Sequence, residues 1–524
     1  LKRQIVNMIN FIRAVEPRPG RVIDLVKPVV EQLKLLKKHE LKGTFLFQYD
    51  ALSSPEYTSL FDEIDSERVE LGVWLEVVEP LTSKIGIPWR GRFPWDWHAH
   101  CGFTVGYTSK QREQIIDTIM NDFYTVFHRY PRSIGSWSLD AHTITYLSEK
   151  YEIDALCICK DQWGTDGYNL WGGYYNQGYY PSRNNYFSPA QTLEQQINIP
   201  ILRMLGSDPI HQYDVGLNLE TGAPAHQPVI TLEPVYHTLG GGVNTWTDWY
   251  LKENFSGNCL SFGYTQVGQE NSFGWEKMSQ GLTYQFEQIA KLQKEGVLDV
   301  ETLGETGCWF KRTYTETPAS VVAAFSDSME KGCSSVWYNS KYYRVNWYTE
   351  NERFWIRDMH LFCENYRERY VDEVCTGNQL QFNNLPIMDG YRWSGNHIRA
   401  GIYPFYSVDG QLLPLTFEHI AYQEEDGRAI LSFTGTACGT ITVTLDDDAM
   451  SITMDKNADQ ILWIPKYDAN AQSLPRITHA TESELHMVYD QFAYSPFQVL
   501  QGTLDSSYSL RAKDNQIKLS FRGK

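Results

Sequence analysis

Over the first two thirds of this chain, short β-like runs alternate with helix-patterned ones, and that rhythm restricts the fold more than any other feature. It is the order of a mainly parallel sheet with covering helices. IVNMINFI at 5–12 reads as the first strand, and the helix after it has Val29, Val30, Leu33, Leu36 and Leu41 as apolar positions. TFLFQ from Thr44 and VELGVWLE ending at Glu76 continue the strand series. Residues 110–128 give an amphipathic helix, with Ile115, Ile116, Ile119, Met120, Phe123 and Phe127 along one side. SIGSWSL from Ser133, DALCICK from Asp154, PILRML from Pro200 and LSFGYTQV from Leu260 supply further strands. Seven or eight such units close more naturally into a barrel than into an open sheet. The expected architecture is α/β, with a (β/α)7-type barrel over residues 1–370 as the catalytic domain.

After about residue 375 helical periodicity disappears. AILSFTG, GTITVTL, SITMD, ILWIP and IKLSF are short alternating runs separated by turn signals such as DDD, KNAD and AKDN. An antiparallel β-sandwich is expected over residues 376–524. Two domains also suit 524 residues, more than one core usually organises. No flexible linker separates them, so they are expected to pack together. The connections 77–108 and 161–198 are long and carry much of the Trp, Tyr, Gly and Asn. Loops that long in a compact domain are usually functional, and in α/β barrels functional loops follow the C-terminal strand ends.

The formal net charge of -18, with no basic stripe, argues against a nucleic-acid partner and against anionic lipid. No apolar run approaches the ~20 residues that span a bilayer, so no membrane insertion is expected. Residue 1 is Leu rather than Met, and a leader removed before it would place the protein in the periplasm or outside the cell. Nine scattered Cys do not form a disulfide framework. Cys157 and Cys159, two apart in ALCIC, would share a strand face; either they begin a metal site, for which no second pair exists, or they are core thiols. Aromatics reach 14%, which fits either β-rich packing or stacking against sugar rings.

KGTFLFQ from Lys42 resembles the second-strand signature of the polysaccharide deacetylase and glycoside hydrolase barrel superfamily, a helix leading into a "KATFF"-like strand. VELGVWLE sits where those proteins have a third strand resembling "HEIGNH", and SIGSWSLDAHTITYLSEKYEIDAL looks like their fourth strand, catalytic loop, helix and return strand. The resemblance covers roughly residues 1–330 and implies a carbohydrate-active enzyme. It has departures: the first strand offers Asn7, Asn10 and Arg13 where metal-dependent deacetylases have paired Asp, and the third ends in Glu76 rather than in two His. Trp137-Ser138-Leu139-Asp140 resembles the retaining α-mannosidase motif, which implies Asp140 as a catalytic carboxylate, although that family's His-any-Asp metal motif is absent.

Cleavage of a glycosidic bond needs one carboxyl to protonate the leaving oxygen and a second to act as nucleophile or to activate water. Asp140 ends a β-like run just before a helix start, a position that either exposes a catalytic side chain or caps the helix beginning near His142. Glu270 lies in the polar, Trp-flanked loop TQVGQENSFGW, as a substrate-facing acid or a solvated one. Glu76 stands inside the apolar run VWLEV, where a carboxylate must be paired or functional, with Arg13 as its structural partner. Trp95-Asp96-Trp97-His98-Ala99-His100 offers rings for stacking and two His for sugar hydroxyls; alternatively Asp96, His98 and His100 would hold a divalent metal. His142, Asp161, Trp163, Arg203, Asp208 and Glu305 complete the expected substrate contacts. The reading is a glycoside hydrolase without a cofactor, acting on an oligo- or polysaccharide. Its alternatives are a metal-dependent carbohydrate deacetylase and a non-catalytic glycan-binding protein on an enzyme scaffold.

Overall fold

A computed structural model describes residues 2–522. Seven strands run parallel: β1 (Gln4–Ile12), β2 (Gly43–Phe47), β3 (Val69–Trp74), β4 (Ser133–Gly135), β5 (Ala155–Ile158), β6 (Ile201–Arg203) and β7 (Gly263–Val267). Their order across the sheet is β7-β1-β2-β3-β4-β5-β6, and β8 (Asp299–Glu301) also pairs parallel with β1. The sheet curls, but among the described residues no ladder joins β6 to β7. A closed barrel was the expectation. The edge of β6 that closure would use is taken by Gly178–Tyr179, which pairs antiparallel with it.

β1 shows why the sheet forms. Every one of its residues is buried, as a strand covered on both faces requires. Ile5, Ile9 and Phe11 point inward to a cluster with Leu46, Trp74 and Leu202, while Val6, Met8 and Ile12 point outward to the helices. Asn7 is tolerated inside because its amide donates to Glu301 O at 3.0 Å and Thr306 Oγ1 at 2.8 Å, and its oxygen accepts from Tyr264 at 3.0 Å. The amphipathic segment forms α1 (Ser109–Phe127), opened by a capping box between Thr108 and Gln111 and closed at His128 in the left-handed region. Cys157 falls in the inner cluster and Cys159, beyond the end of β5, in the outer one, so the two do not share a face; both are buried free thiols.

The antiparallel part begins earlier in the chain than residue 376. β9 (Ser320–Ala324), β10 (Cys333–Asn339), β11 (Tyr343–Glu350) and β12 (Arg353–Leu361) form a meander, and β12 continues to strands at Leu385–Asp389 and Gly401–Val408. A further antiparallel sheet, running from His419–Glu425 to Gln516–Ser520, shares its core: Phe354 stacks on Phe433 with centroids 4.3 Å apart. Among the described residues no helix is long and apolar enough to cross a membrane.

The meander is tied to the curled sheet by buried ions. Asp161, just beyond β5, accepts from Arg203 at 2.7 Å and from Arg344 of β11 at 2.5 Å, and Arg344 also holds Asp358 of β12 at 2.8 Å. Burial alone would push the Asp358 carboxyl up, but Arg344 and His360 hold it well below the usual range.

Candidate active site

The C-terminal ends of the parallel strands surround an open cavity of about 320 Å³. Arg13 follows β1, Glu76 follows β3, Trp137 follows β4, Gln162, Asp166 and Tyr168 follow β5, and Glu270 follows β7; all line it. Glu233 enters from the long connection after β6, and Trp95 and Trp97 from the connection after β3. Placement at this end of the strands is what α/β barrels use for chemistry.

Arg13 organises the floor. Its buried guanidinium bonds Glu76 and reaches Glu270 Oε2 at 3.1 and 3.2 Å, while its other face lies 4.0 Å from the ring centre of Trp95. Burial would lower the Arg13 pKa, yet the two glutamates raise it. Glu270 also accepts from Ser272. Its approach depends on Gly268, at φ +118°, where a Cβ would stand 2.1 Å from Ile9 O. A residue with a side chain would push this turn away from β1.

Glu233 differs from both. It is buried, and its partners are neutral: Gln269 Nε2 at 2.9 Å and Thr231 Oγ1 at 2.9 Å. Burial, with the charge of Glu270 acting the same way, pushes its carboxyl above the ordinary value, against those two hydrogen bonds and the charge of buried Lys160. Glu76 is also raised by burial, with Arg13 pulling the other way. Asp166 keeps contact with water inside the concavity, and the desolvating walls raise it too. The aromatic side is ordered: Trp137 stacks on Tyr168 at 6.0 Å with planes 10° apart.

Of the residues expected from the sequence, Glu76, Glu270, Trp95 and Trp97 meet in this cavity. Asp140 does not. It is fully buried at the N-cap of α2 (Ala141–Lys150), accepting from Thr143 N at 2.8 Å, Thr143 Oγ1 at 2.7 Å, Thr104 Oγ1 at 2.5 Å and Arg112 Nη1 at 2.9 Å. The capping alternative describes it. His142 pairs with Glu113 at 3.1 Å on the outer side of α2, and Glu305 pairs with Lys42 and caps its own helix at the opposite, N-terminal end of the strands. Asp161 and Arg203 are joined in the buried ion network. Asp208 caps the turn at Ile210 and His211 and accepts from Trp246 at 3.2 Å. Trp163 lines a neighbouring cleft.

At Asp96, His98 and His100 the carboxylate is already engaged. Arg92 takes both oxygens of Asp96, at 2.7 and 2.9 Å; burial would raise that carboxyl, but the Arg92 bonds hold it down to about 2. The rings of His98 and His100 are tilted with centroids 5.9 Å apart. Among the described residues no three of His, Cys, Asp and Glu gather as metal ligands must. Arg13 pairs with Glu76 as the sequence suggests, while Glu233, Asp166 and the second hold of Arg13, on Glu270, are not among the residues it pointed to. Glu233 carried a usable signal, since VITLEPV sets an acid in an apolar run as VWLEV does.

The overall fold has a solved counterpart. A candidate glycoside hydrolase/deacetylase of Parabacteroides distasonis superposes with a TM-score of 0.56 over 73% of this chain and 90% of the other, at 15% identity. The chain therefore shares the fold of that protein over most of its length. Weaker similarities run to a candidate polysaccharide deacetylase of Mycobacterium smegmatis (TM-score 0.35, 10% identity, 60% of this chain and 94% of that one). An α-amylase of Thermotoga maritima is similar at TM-score 0.31 and 9% identity, over 60% of this chain and 76% of that one. A family model described as a domain of unknown function with a solved structure, DUF3863, matches residues 101–348. No curated protein matches the sequence.

Proposed function

We propose that the chain is a glycoside hydrolase whose working carboxyls are Glu233 and Glu270, with Glu76 and Arg13 fixing the second of them. One observation carries this: a buried carboxyl with neutral partners and a carboxyl oriented by a guanidinium open onto the same Trp-lined cavity. The pair matches the two tasks of glycosidic cleavage. Glu233, raised above the ordinary glutamate value by burial, is the proton donor to the leaving oxygen. Glu270, oriented by Arg13 Nε and Nη2 and by Ser272, is the nucleophile or the base for water. Trp95, Trp97 and Trp137 supply the rings on which a sugar rests. The sheet fold shared with a candidate glycoside hydrolase/deacetylase supports a carbohydrate substrate.

The test is a panel of α- and β-linked oligosaccharides with the wild type and Glu233→Gln. The wild type cleaves at least one member, and the variant loses about 10²–10⁴ in kcat, the usual contribution of a general acid. The basic limb of kcat/KM lies above the value of an ordinary glutamate, since activity is lost as pH rises through the raised pKa of Glu233. Turnover unchanged in Glu233→Gln removes it from the reaction. Binding of a sugar by the wild type without any cleavage favours the glycan-binding alternative.

A further inference from the structure

Beside the acid cavity, across one thin wall of chain, lies a second cleft of about 840 Å³. One side is the loop Thr221–Ala225 with Trp163; the other comes from the chain beyond residue 368. The wall itself is built by a slipped ladder. Between the strands Gln162–Thr165 and Tyr168–Trp171 the register shifts between Gln162 and Thr165, and a bulge of this kind re-aims a side chain. Gln162 and Thr165 line the acid cavity while Trp163 lines the cleft. The second ribbon of the wall divides in the same way, with Ala225 toward the cleft and His226 toward the cavity. The ribbons are clamped by Gln227 N to Trp163 O at 2.8 Å and by His226 Nδ1 with Gly164 O at 2.9 Å. Gly164, at φ +69°, permits the contact: a Cβ there would stand 1.8 Å from Ala225 O.

The chemistry of the cleft is that of a binder of neutral hydroxyls. Amides of Gln381, Asn383, Asn396 and Gln472 line it. Its two guanidiniums are already matched, Arg369 by Asp490 at 2.7 Å and Arg392 by Asp389 at 2.5 Å. Glu220 and Asp468 add negative charge, which disfavours an anionic chain. The Trp163 ring is fixed by Arg392, 5.6 Å from its centre, and by Trp171 at 6.2 Å in an edge contact. A held ring with amides around it binds without losing side-chain freedom.

We propose that this cleft is a second glycan subsite, taking units of a neutral polysaccharide whose neighbouring units reach the acid cavity. The link to cleavage rests on the function proposed above; the binding does not. Affinity electrophoresis through gels of galactomannan, arabinoxylan, xyloglucan and yeast mannan tests it. At least one gel retards the wild type, Trp163→Ala weakens that retardation at least fivefold in apparent Kd, and Glu233→Gln leaves most of it. Because Trp163 also packs internally, Asn396→Ala/Gln472→Ala, two exposed positions, serves as the second variant and weakens retardation at least twofold. No retardation of the wild type in any of the four gels, or equal retardation of wild type and both variants, overturns the proposal. Retardation that depends on Trp163 in a protein that cleaves nothing supports the subsite and overturns the hydrolase.

Discussion

Glu233 and Asp140 are both buried carboxyls at the C-terminal rim of the same curled sheet, and they have opposite surroundings. Asp140 receives four hydrogen bonds, one from Arg112, and lines none of the cavities described above. Arg112 is itself held by Tyr107 O at 2.8 Å and Tyr370 O at 2.9 Å, so the whole group is a knot between α1, α2 and the chain near residue 370. Glu368 closes the knot by accepting Ala141 N at 2.8 Å and Tyr186 N at 3.0 Å, and burial pushes its carboxyl up to about 8. Glu233 has two neutral donors and an open cavity beside it. Burial and a perturbed carboxyl are thus common to both places. Only the presence of space for a substrate separates a site from a structural knot.

The sharpest break of this comparison is the pair Glu270→Gln and Asp140→Asn. Glu270→Gln is expected to lose about 10²–10⁴ in kcat, as an acid or base does, and, because Arg13 keeps Glu76, only about 1–3 kcal/mol of stability. Asp140→Asn keeps kcat and loses about 1–3 kcal/mol of stability, the penalty of a buried hydrogen-bond partner lost. Steady-state kinetics beside urea unfolding reads both; a collapse of kcat in folded Asp140→Asn would return that residue to the reaction. Next in size is Arg112→Met. Removing one partner of a buried ion pair destabilises by about 3–5 kcal/mol, and kcat per folded molecule stays unchanged if the knot is only structural.

The sheet strands were legible because apolar runs of fixed spacing are dictated by burial, and β1, β2 and α1 lie within a residue of where the pattern put them. The meander at 320–361 was not, because its strands are buried on both faces yet carry Ser, Asn and Arg, so no clean period marks them and nothing local says which sheet they join. In the site, Glu76 announced itself as an acid in an apolar run, and Glu233 carried the same mark unread. Asp166 carried none, being a polar residue in a polar loop whose place in the cavity is set by the hairpin around it. Asp140 illustrates a true ambiguity. A carboxylate between a strand and a helix serves as well for capping as for catalysis, and the decision lies in residues far away in sequence, Thr104 and Arg112.

The smallest expected effect concerns what holds the cavity floor. Asp50 accepts the backbone N–H groups of Ala14 at 3.0 Å, Val15 at 3.2 Å and Ala51 at 2.7 Å, and so anchors the segment that carries Arg13. Burial outweighs those bonds and lifts its carboxyl from 3.8 to about 6. The folded protein therefore keeps the Asp50 proton at pH values where the unfolded chain has released it. The folded state binds more protons across that window, so stability from this group falls as pH rises from about 4 to about 6 and is constant outside it. Two units at about 1.4 kcal/mol each bound the loss at roughly 3 kcal/mol. Asp50→Asn does not titrate. It forfeits one acceptor at every pH, a constant offset of about 1 kcal/mol, and escapes the pH-dependent loss. Unfolding midpoints at pH 4, 5, 6 and 7 are expected to show the variant gaining on the wild type up to pH 6 and then holding level. A difference that does not change with pH would mean that Asp50 is ionised throughout, and that the floor beneath Arg13 is held by charge rather than by a neutral acid.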